Sequence, residues 1–349
     1  MKTDFLIIGG GAIGLCSAIA LLEEGYKVTL IDRNATGSEA SWAGGGILSP
    51  LCSWDYSEKV TSLTERSMGM FEDMADQLLH HTGIDPEYQR CGMLILPPFQ
   101  EKIATAWCKA HQVIFNHVRL DEHLQGMQGA GLFMPDIAQV RNPRLLQALR
   151  RRFEMLGGNM LEHQEALSFE ISGHEVKGLS TNKEKLTADA YIMAAGAWSK
   201  TLLGEHAMGM EVRPIRGQML LFKFEAPPFS NILLQKELYI IPRTDGHVLV
   251  GSTLEDVGFN KSITTEAMTY LLGRVRTLFP DWPSPIRQWA GLRPGSPDNI
   301  PTIGPHPRLS NLYANCGHFR YGVTMSPASA RLLLDAIQGH TDQTYRWRE

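Results

Sequence analysis

Cysteine is scarce and scattered in this 349-residue chain. The five cysteines are odd in number and form no C-x-x-C pair; they are Cys16, Cys52, Cys91, Cys108 and Cys316. This pattern argues against a disulfide framework and against a structural zinc site, and it fits a reducing compartment. The sequence therefore predicts a cytoplasmic protein without a metal site.

Long apolar runs and an excess of positive charge are also missing. No apolar stretch reaches the roughly 20 residues that a membrane-spanning helix requires. The amino terminus leads directly into a strand-like run and does not resemble a secretory signal. The net charge of −4 gives no electrostatic footprint for nucleic acid. We therefore expect neither a membrane span nor a nucleic-acid partner.

The first 32 residues contain the most informative pattern. The apolar residues 5–8 are typical of a strand buried on both faces, and a glycine motif, an Ala/Leu-rich helix and a second apolar run ending in Asp32 follow. Gly9 permits a tight turn, Gly11 lets the backbone approach a pyrophosphate, and Gly14 lets the helix lie close to the strand. Asp32 is placed to accept hydrogen bonds from a ribose. The unit predicts dinucleotide binding.

Elements suited to a nucleotide-binding sheet recur later in the chain. Residues 191–197 and 312–315 have the pattern of buried strands, and a last helix is expected to end near Ile337. Blocks rich in strands lie between these segments, above all at 212–252. The order predicts two interleaved domains rather than two consecutive ones.

Further motifs carry a resemblance to a known group of flavoproteins. Besides the glycine motif with Asp32, they are residues 41–48, 194–199, 239–243, 289–295 and 317–322. With these motifs the chain resembles the FAD-dependent D-amino-acid oxidase superfamily, and within it the glycine oxidases of thiamine biosynthesis. The resemblance covers nearly the whole chain. The G-L-R-P-G and G-H-F-R-x-G segments are its more specific parts.

The resemblance implies the fold class and the domain boundaries. We expect an α/β protein in which a Rossmann-like FAD-binding domain of the glutathione-reductase type is interleaved with an antiparallel-sheet substrate domain. The expected FAD-binding segments are 1–82, 143–211 and 293–349. The expected substrate-binding segments are 83–142 and 212–292.

The resemblance also implies which residues bind FAD. They are Gly9, Gly11, Ala12, Ile13, Gly14, Asp32, Arg33, Ser41, Gly44, Gly45, Gly46, Ile47, Ala166, Ala195, Gly196, Trp198, His318, Phe319, Arg320, Tyr321, Gly322, Val323 and Thr324. Sarcosine-oxidising relatives carry a cysteine for covalent flavin attachment near the position of Gly291 and Leu292. Because neither residue is a cysteine, non-covalent FAD is expected.

Arg293 raises a question that the local sequence does not answer. It follows the apolar residues 289–292, and a buried guanidinium without a partner is costly, so it should hold an anion. Nearby, only Asp298 is acidic, and a structural ion pair with it stays open. The resemblance instead makes Arg293 the two-pronged ligand of a substrate carboxylate, with Tyr239, Arg320 and Ile47 as the other substrate-binding residues.

The implied reaction is oxidation of a small amino acid by oxygen. Hydride leaves the α-carbon, and no residue is required as a general acid or base; the products are an imine, which hydrolyses to a 2-oxo acid and ammonia, and hydrogen peroxide. The open alternatives are a D-amino-acid or sarcosine oxidase, a quinone-linked D-amino-acid dehydrogenase, a nicotinamide-dependent dehydrogenase, and a flavin-binding module of tRNA modification. The acidic net charge disfavours the last. A homo-oligomer and transfer of the imine to a thiazole synthase stay open as partnerships.

Overall fold

The computed structural model describes residues 3–124 and 127–348. Over these residues the chain forms eight α-helices. They are α1 (Ala12–Glu23), α2 (Ala40–Ala43), α3 (Glu58–Thr82), α4 (Glu101–Ala110), α5 (Asn142–Met155), α6 (Ser199–Leu203), α7 (Thr265–Leu278) and α8 (Gly322–Ile337).

Twenty β-strands are present in the same part of the chain. The first ten are β1 (Phe5–Ile8), β2 (Val28–Ile31), β3 (Ile47–Leu48), β4 (Gln89–Arg90), β5 (Met93–Ile95), β6 (Asn116–Arg119), β7 (Ala130–Met134), β8 (Ala138–Gln139), β9 (Asn159–Leu161) and β10 (Ala166–Ser172). The others are β11 (Glu175–Thr181), β12 (Lys185–Leu186), β13 (Ala190–Met193), β14 (Arg213–Lys223), β15 (Ile232–Gln235), β16 (Leu238–Pro242), β17 (His247–Gly251), β18 (Arg287–Gly295), β19 (Thr302–Pro305) and β20 (Leu312–Cys316).

A six-stranded sheet contains the strands of the amino-terminal unit. Its order is β19-β20-β13-β1-β2-β9, and β1 lies between β2 and β13 with parallel pairing on both sides. All four residues of β1 and of β2 are buried, as expected for strands covered on both faces. Helices α1, α3, α5 and α8 pack together against this sheet. The carboxyl ends of the parallel strands therefore meet at one edge, where ligands bind in such sheets.

The second large sheet has eight strands and is mostly antiparallel. Its order is β18-β14-β17-β16-β15-β5-β7-β6. Strand β14 begins at Arg213 and pairs along most of its length with β18, from Arg213 opposite Gly295 to Leu221 opposite Arg287. The observed sheets match the predicted fold class. The predicted domain boundaries stay a proposal.

Over residues 3–124 and 127–348, no helix is both long enough and apolar enough to cross a membrane.

Candidate active site

A cavity of about 450 Å³ lies between the two large sheets. Its walls come from the carboxyl ends of β1, β2 and β13, from the loop before β3, from β16 and β18, and from the start of α8. All but two of the predicted site residues line it. The two exceptions, Ala12 and Gly14, lie behind its wall in the first turn of α1. The sequence motifs thus converge on one cavity.

The glycine motif makes a turn in which only glycine fits at positions 9 and 14. Gly9 has a φ of +108°, and a Cβ there would lie 2.4 Å from the carbonyl oxygen of Ala194 on β13. A Cβ on Gly14 would lie 1.9 Å from the carbonyl oxygen of Gly9. The backbone of α1 therefore comes close to β1 and β13. Its N-terminus faces the cavity with the positive end of the helix dipole, a favourable place for a phosphate.

Asp32 closes this turn from the end of β2. Its carboxylate accepts hydrogen bonds from the backbone N–H of Gly10 and of Asn34, both at 2.9 Å. Burial raises the pKa of Asp32, and these two N–H groups oppose the rise. The side chain therefore fixes the glycine turn while it lines the cavity. Its predicted contact with a ribose stays a prediction.

The end of the cavity beside Asp32 is built from stacked and charged side chains. The Arg33 guanidinium lies 3.5 Å from the centroid of the Trp198 ring and 3.0 Å from the Glu39 carboxylate. Gly196, with a φ of +54°, and Ala166 also line this end. The resemblance described above implies that Gly196 lies near the adenine side of FAD, so we predict that this end of the cavity holds the adenine half of the cofactor.

The loop at residues 41–47 lies against both sheets. A Cβ on Gly45 would lie 2.5 Å from Ile241 of β16, and one on Gly46, which has a φ of +77°, would lie 2.1 Å from the carbonyl oxygen of Val140. Only glycine permits this approach. The Asn142 amide donates to the carbonyl oxygen of Ser41 at 2.6 Å and holds the other end of the loop.

Arg243 is a functional residue that the sequence motifs contained but to which no role was assigned. Its guanidinium donates to the carbonyl oxygens of Gly45 (2.8 Å) and Val140 (2.9 Å) and to the Gln139 amide oxygen (2.7 Å). The side chain is buried, and burial lowers its pKa to about 10. Among the described residues it forms no ion pair, so its partners are neutral oxygens. Arg243 therefore fixes the glycine loop from behind.

The start of α8 forms another wall of the cavity. Pro327 lies inside this helix and cannot donate to the carbonyl oxygen of Val323, which instead accepts from the Ser326 hydroxyl at 2.9 Å. Complete burial lowers the pKa of His318 to about 3, and its Nε2 lies 2.9 Å from the Ser329 hydroxyl. His318 is therefore neutral at pH 7. Its geometry favours support of the loop over proton transfer.

Arg293 is placed on β18, facing the cavity. Its guanidinium donates to the carbonyl oxygen of Thr253 at 3.2 Å and to the Ser252 hydroxyl at 2.6 Å. Burial lowers its pKa, but a guanidinium stays charged at neutral pH. Among the described residues no carboxylate lies within ion-pair distance, and Asp298 is exposed. The structure thus gives no support to the structural ion pair with Asp298.

Gly217 of β14 makes room for this guanidinium. A Cβ at that position would lie 2.1 Å from one terminal nitrogen of Arg293 and 2.3 Å from its central carbon. The guanidinium therefore lies flat against the backbone of the neighbouring strand. Sequence reasoning missed Gly217 because a glycine inside a strand gives no sign of what lies over it.

The remaining predicted substrate residues surround Arg293. Tyr239 is 8% exposed, and its hydroxyl lies 3.2 Å from the Met219 sulfur. The Arg320 guanidinium, which also lines the cavity, approaches the exposed Glu237 carboxylate at 3.9 Å. Further lining residues that were not predicted are Glu39, Leu51, Asn142, Gln164, Ser252, Thr253 and Leu254. Most of these come from loops without a recognisable motif.

Within the described ranges, no three His, Cys, Asp or Glu side chains are grouped so that they could hold a metal ion.

The cavity has the features that FAD requires. Helix N-termini from α1 and α8 face it, and the Gly9 and Gly45 turns bring backbone close enough to contact a pyrophosphate and a flat ring. The contact of Asp32 with ribose hydroxyls stays a prediction. The lining is mainly apolar apart from these groups, as expected for a cofactor pocket.

Comparison with known proteins agrees with this geometry. Residues 4–336 match the family described as FAD dependent oxidoreductase (DAO). Glycine oxidase of Pseudomonas aeruginosa is 39% identical over 97% of this chain and 96% of its own length. The bifunctional protein ThiO/ThiG of Synechocystis is 31% identical over 96% of this chain and 51% of its own length.

The solved structure of glycine oxidase from Geobacillus kaustophilus has the same fold. It superposes with a TM-score of 0.93, covers 100% of this chain and 99% of its own, and is 23% identical. The predicted fold class and the predicted FAD cofactor are confirmed by these comparisons. The chain therefore belongs to the FAD dependent oxidoreductase family, and FAD is its cofactor.

Proposed function

We propose that this protein is an amino-acid oxidase that removes a hydride from the α-carbon of glycine or another small amino acid. The products are an imine, which water converts to a 2-oxo acid and ammonia, and hydrogen peroxide. Arg293 is the observation that carries the proposal. It is a partly buried cation beside the cavity, and its hydrogen bonds go to the neutral Ser252 hydroxyl and the Thr253 carbonyl oxygen.

The role of Arg293 is to bind and orient the substrate. A planar guanidinium can hold both oxygens of a carboxylate in parallel hydrogen bonds, which fixes the direction of the α-carbon. Tyr239 supplies a second donor beside it. Bound FAD would supply the acceptor for the hydride and the route of its electrons to oxygen. We infer that no residue is needed as a general base when the substrate amine is neutral.

Small substrates are favoured by the residues around the guanidinium. Ile47 and Leu254 line the cavity with branched apolar side chains, and the Gly45 loop is held against β16. Ile47 is also fixed through its carbonyl oxygen, which accepts a hydrogen bond from the Thr324 hydroxyl at 3.0 Å. This apolar wall limits the side chain that fits.

We further propose non-covalent FAD and a place in thiamine biosynthesis. The absence of a cysteine at Gly291 and Leu292 supports the first. The second, with transfer of the imine to a thiazole synthase, is supported by the ThiO/ThiG relative, which joins two activities in one chain. The free cysteines fit a reducing cytoplasm. A homo-oligomer is also proposed.

An amine panel tests the proposal. The purified protein is mixed with glycine, sarcosine, D-alanine or D-proline under air, and peroxide is measured together with the FAD released by acid. We expect acid-releasable FAD and peroxide with glycine. A clear preference for D-alanine or sarcosine would identify the related oxidases instead. Turnover with a quinone but no peroxide would identify a dehydrogenase.

A matched variant locates the reaction in this cavity. Arg293→Met removes the charge but keeps an unbranched apolar side chain. It is expected to keep FAD and to lose peroxide production. FAD content without any amine oxidation in the parent would refute the proposed reaction.

A further inference from the structure

A segment of the substrate-side sheet crosses to the predicted adenine end of the cavity. Residues 256–262, called the strap here, leave β17 and precede α7. Their base is fixed to β14: Arg216 donates to the carbonyl oxygens of Ser262 (2.9 Å) and Asn260 (3.5 Å), and Arg213 pairs with Asp256 at 2.9 Å. The strap therefore leaves the eight-stranded sheet from a defined position.

The far side of the strap contacts residues that line the cavity. Lys261 donates to the Glu39 carboxylate at 2.7 Å. The Phe259 ring stacks on Trp198 with centroids 5.5 Å apart and planes inclined by 26°. Arg33 joins the two contacts, since it pairs with Glu39 and lies over Trp198. Five side chains thus form one connected cluster.

The contacts of the strap are unusual for exposed residues. Phe259 is 44% exposed, yet its ring is held against Trp198 rather than against the protein core. Glu39 is only 20% exposed; although burial opposes its ionisation, hydrogen bonds from Lys261 and Arg33 lower its pKa. Glu39 therefore remains a carboxylate held between two cations, one of which belongs to the strap.

We propose that the strap retains FAD by holding Arg33, Glu39 and Trp198 in place at the adenine end of the cavity. Phe259 and Lys261 are positioning residues, because they act through side chains that line the cavity and do not line it themselves. The proposal rests on the cofactor location given above. It adds that a segment of the substrate-side sheet governs how long the cofactor stays bound.

Release of FAD from the holoenzyme tests the strap. Phe259→Ala, Lys261→Met and the double variant are diluted, and FAD in the filtrate is followed over time. We expect release about three to ten times faster for Phe259→Ala, from the loss of an aromatic pair, and about two to five times faster for Lys261→Met, from the loss of an exposed ion pair. At saturating FAD, the turnover with amine should stay at the parental value.

Conservative variants and salt separate positioning from a general structural defect. Phe259→Tyr and Lys261→Arg keep the stacked ring and the charge, so they should release FAD at the parental rate. Salt should speed release from the parent, because the Lys261–Glu39 pair is partly exposed, and Lys261→Met should lose much of this dependence. Ile114→Ala and Lys177→Met are matched controls, since both residues are exposed and lie outside the strap.

The outcomes are distinguishable. A parent without FAD would refute the proposed function itself. A parent that holds FAD, with strap variants that release it within twofold of the parental rate, would refute the strap alone. Faster release in the two control variants, to the same extent as in the strap variants, would also refute it.

Discussion

Replacement of Arg293 by methionine separates a functional charge from a structural one. Two of the five guanidinium N–H groups donate to Ser252 and Thr253, so donors remain for the two oxygens of a carboxylate. Methionine fills similar space without charge. We expect Arg293→Met to keep FAD, because Arg293 lies on the strand that faces the substrate rather than in the glycine motif.

The size of the effect follows from the size of the substrate. Glycine has five non-hydrogen atoms, and at a ceiling of roughly −1.5 kcal/mol per atom its binding free energy cannot exceed about −7.5 kcal/mol. With no side chain to bury, most of this must come from the carboxylate and the amine. Loss of a buried charge pair weakens transition-state binding by about 2–5 kcal/mol. This corresponds to a fall in kcat/KM of about 30-fold to several thousandfold.

The same substitution should not destabilise the fold. In the part of the chain that the structure describes, Arg293 has no carboxylate within ion-pair distance, so its replacement by methionine breaks no ion pair. Arg216→Met is the matched contrast, because Arg216 is buried and pairs with Glu255. Its loss should lower the free energy of unfolding by about 1–3 kcal/mol. A functional arginine and a structural arginine thus give opposite signatures.

Two measurements distinguish a functional from a structural role of Arg293. Flavin reduction is followed without oxygen across a series of glycine concentrations, and unfolding is followed in denaturant. Arg293→Lys should recover little activity, since one ammonium cannot form two parallel bonds. Flavin reduction by Arg293→Met at the parental rate, at low glycine concentration, would show that the carboxylate binds elsewhere.

The other predictions concern the supports of the site. Gly217→Ala should reduce amine oxidation at least tenfold while FAD content stays parental, because the new Cβ would displace the Arg293 guanidinium; parental kcat/KM would refute this. Asp32→Ala should weaken FAD binding by about 1.5–3 kcal/mol, since the ribose contact and the support of Gly10 are lost together, and a parental dissociation constant after dialysis would contradict the assignment. The folded-state pKa of His318, about 3, lies below its unfolded value of about 6.5. The unfolded chain therefore binds more protons in this window, and His318 makes stability fall as the pH drops from 6.5 towards 3. His318→Gln should flatten that part of the measured stability profile.

Local patterns predicted the parts of the fold that depend on neighbouring residues. The glycine motif, α1 and β2 lie within 32 residues, and each signal is a short-range one: an apolar run, a helix, a turn. One exposed strand was missed. Strand β6 has three exposed residues out of four, so it lacks the apolar pattern that identifies a strand.

Contacts between distant segments could not be predicted in this way. Arg243 holds Gly45 from 198 positions away, and Lys261 reaches Glu39 across 222. Neither contact produces a recognisable pattern in the residues around it. The resemblance supplied the list of site residues, but the physical role of Arg243 required the folded chain.

Strand β18 contacts both the loop at residues 41–47 and the segment that precedes α8. Its Trp289 indole donates to the carbonyl oxygen of Ala43 at 3.0 Å, and the carbonyl oxygen of its Pro294 accepts from the Phe319 N–H at 3.0 Å. Arg293 lies between these two contacts. One strand therefore fixes the distance from Arg293, the predicted ligand of the substrate carboxylate, to each of the two loops that are predicted to hold the flavin.

The number of residues in β18 therefore fixes the position of Arg293, and a change in that number would move it. A one-residue insertion between Trp289 and Arg293 would turn the guanidinium to the opposite face of the sheet. Substitutions at Ile47 or Leu254 change only the shape of the wall. We therefore expect that larger amines can be accommodated by substitutions at Ile47 or Leu254, but not by insertions or deletions in β18.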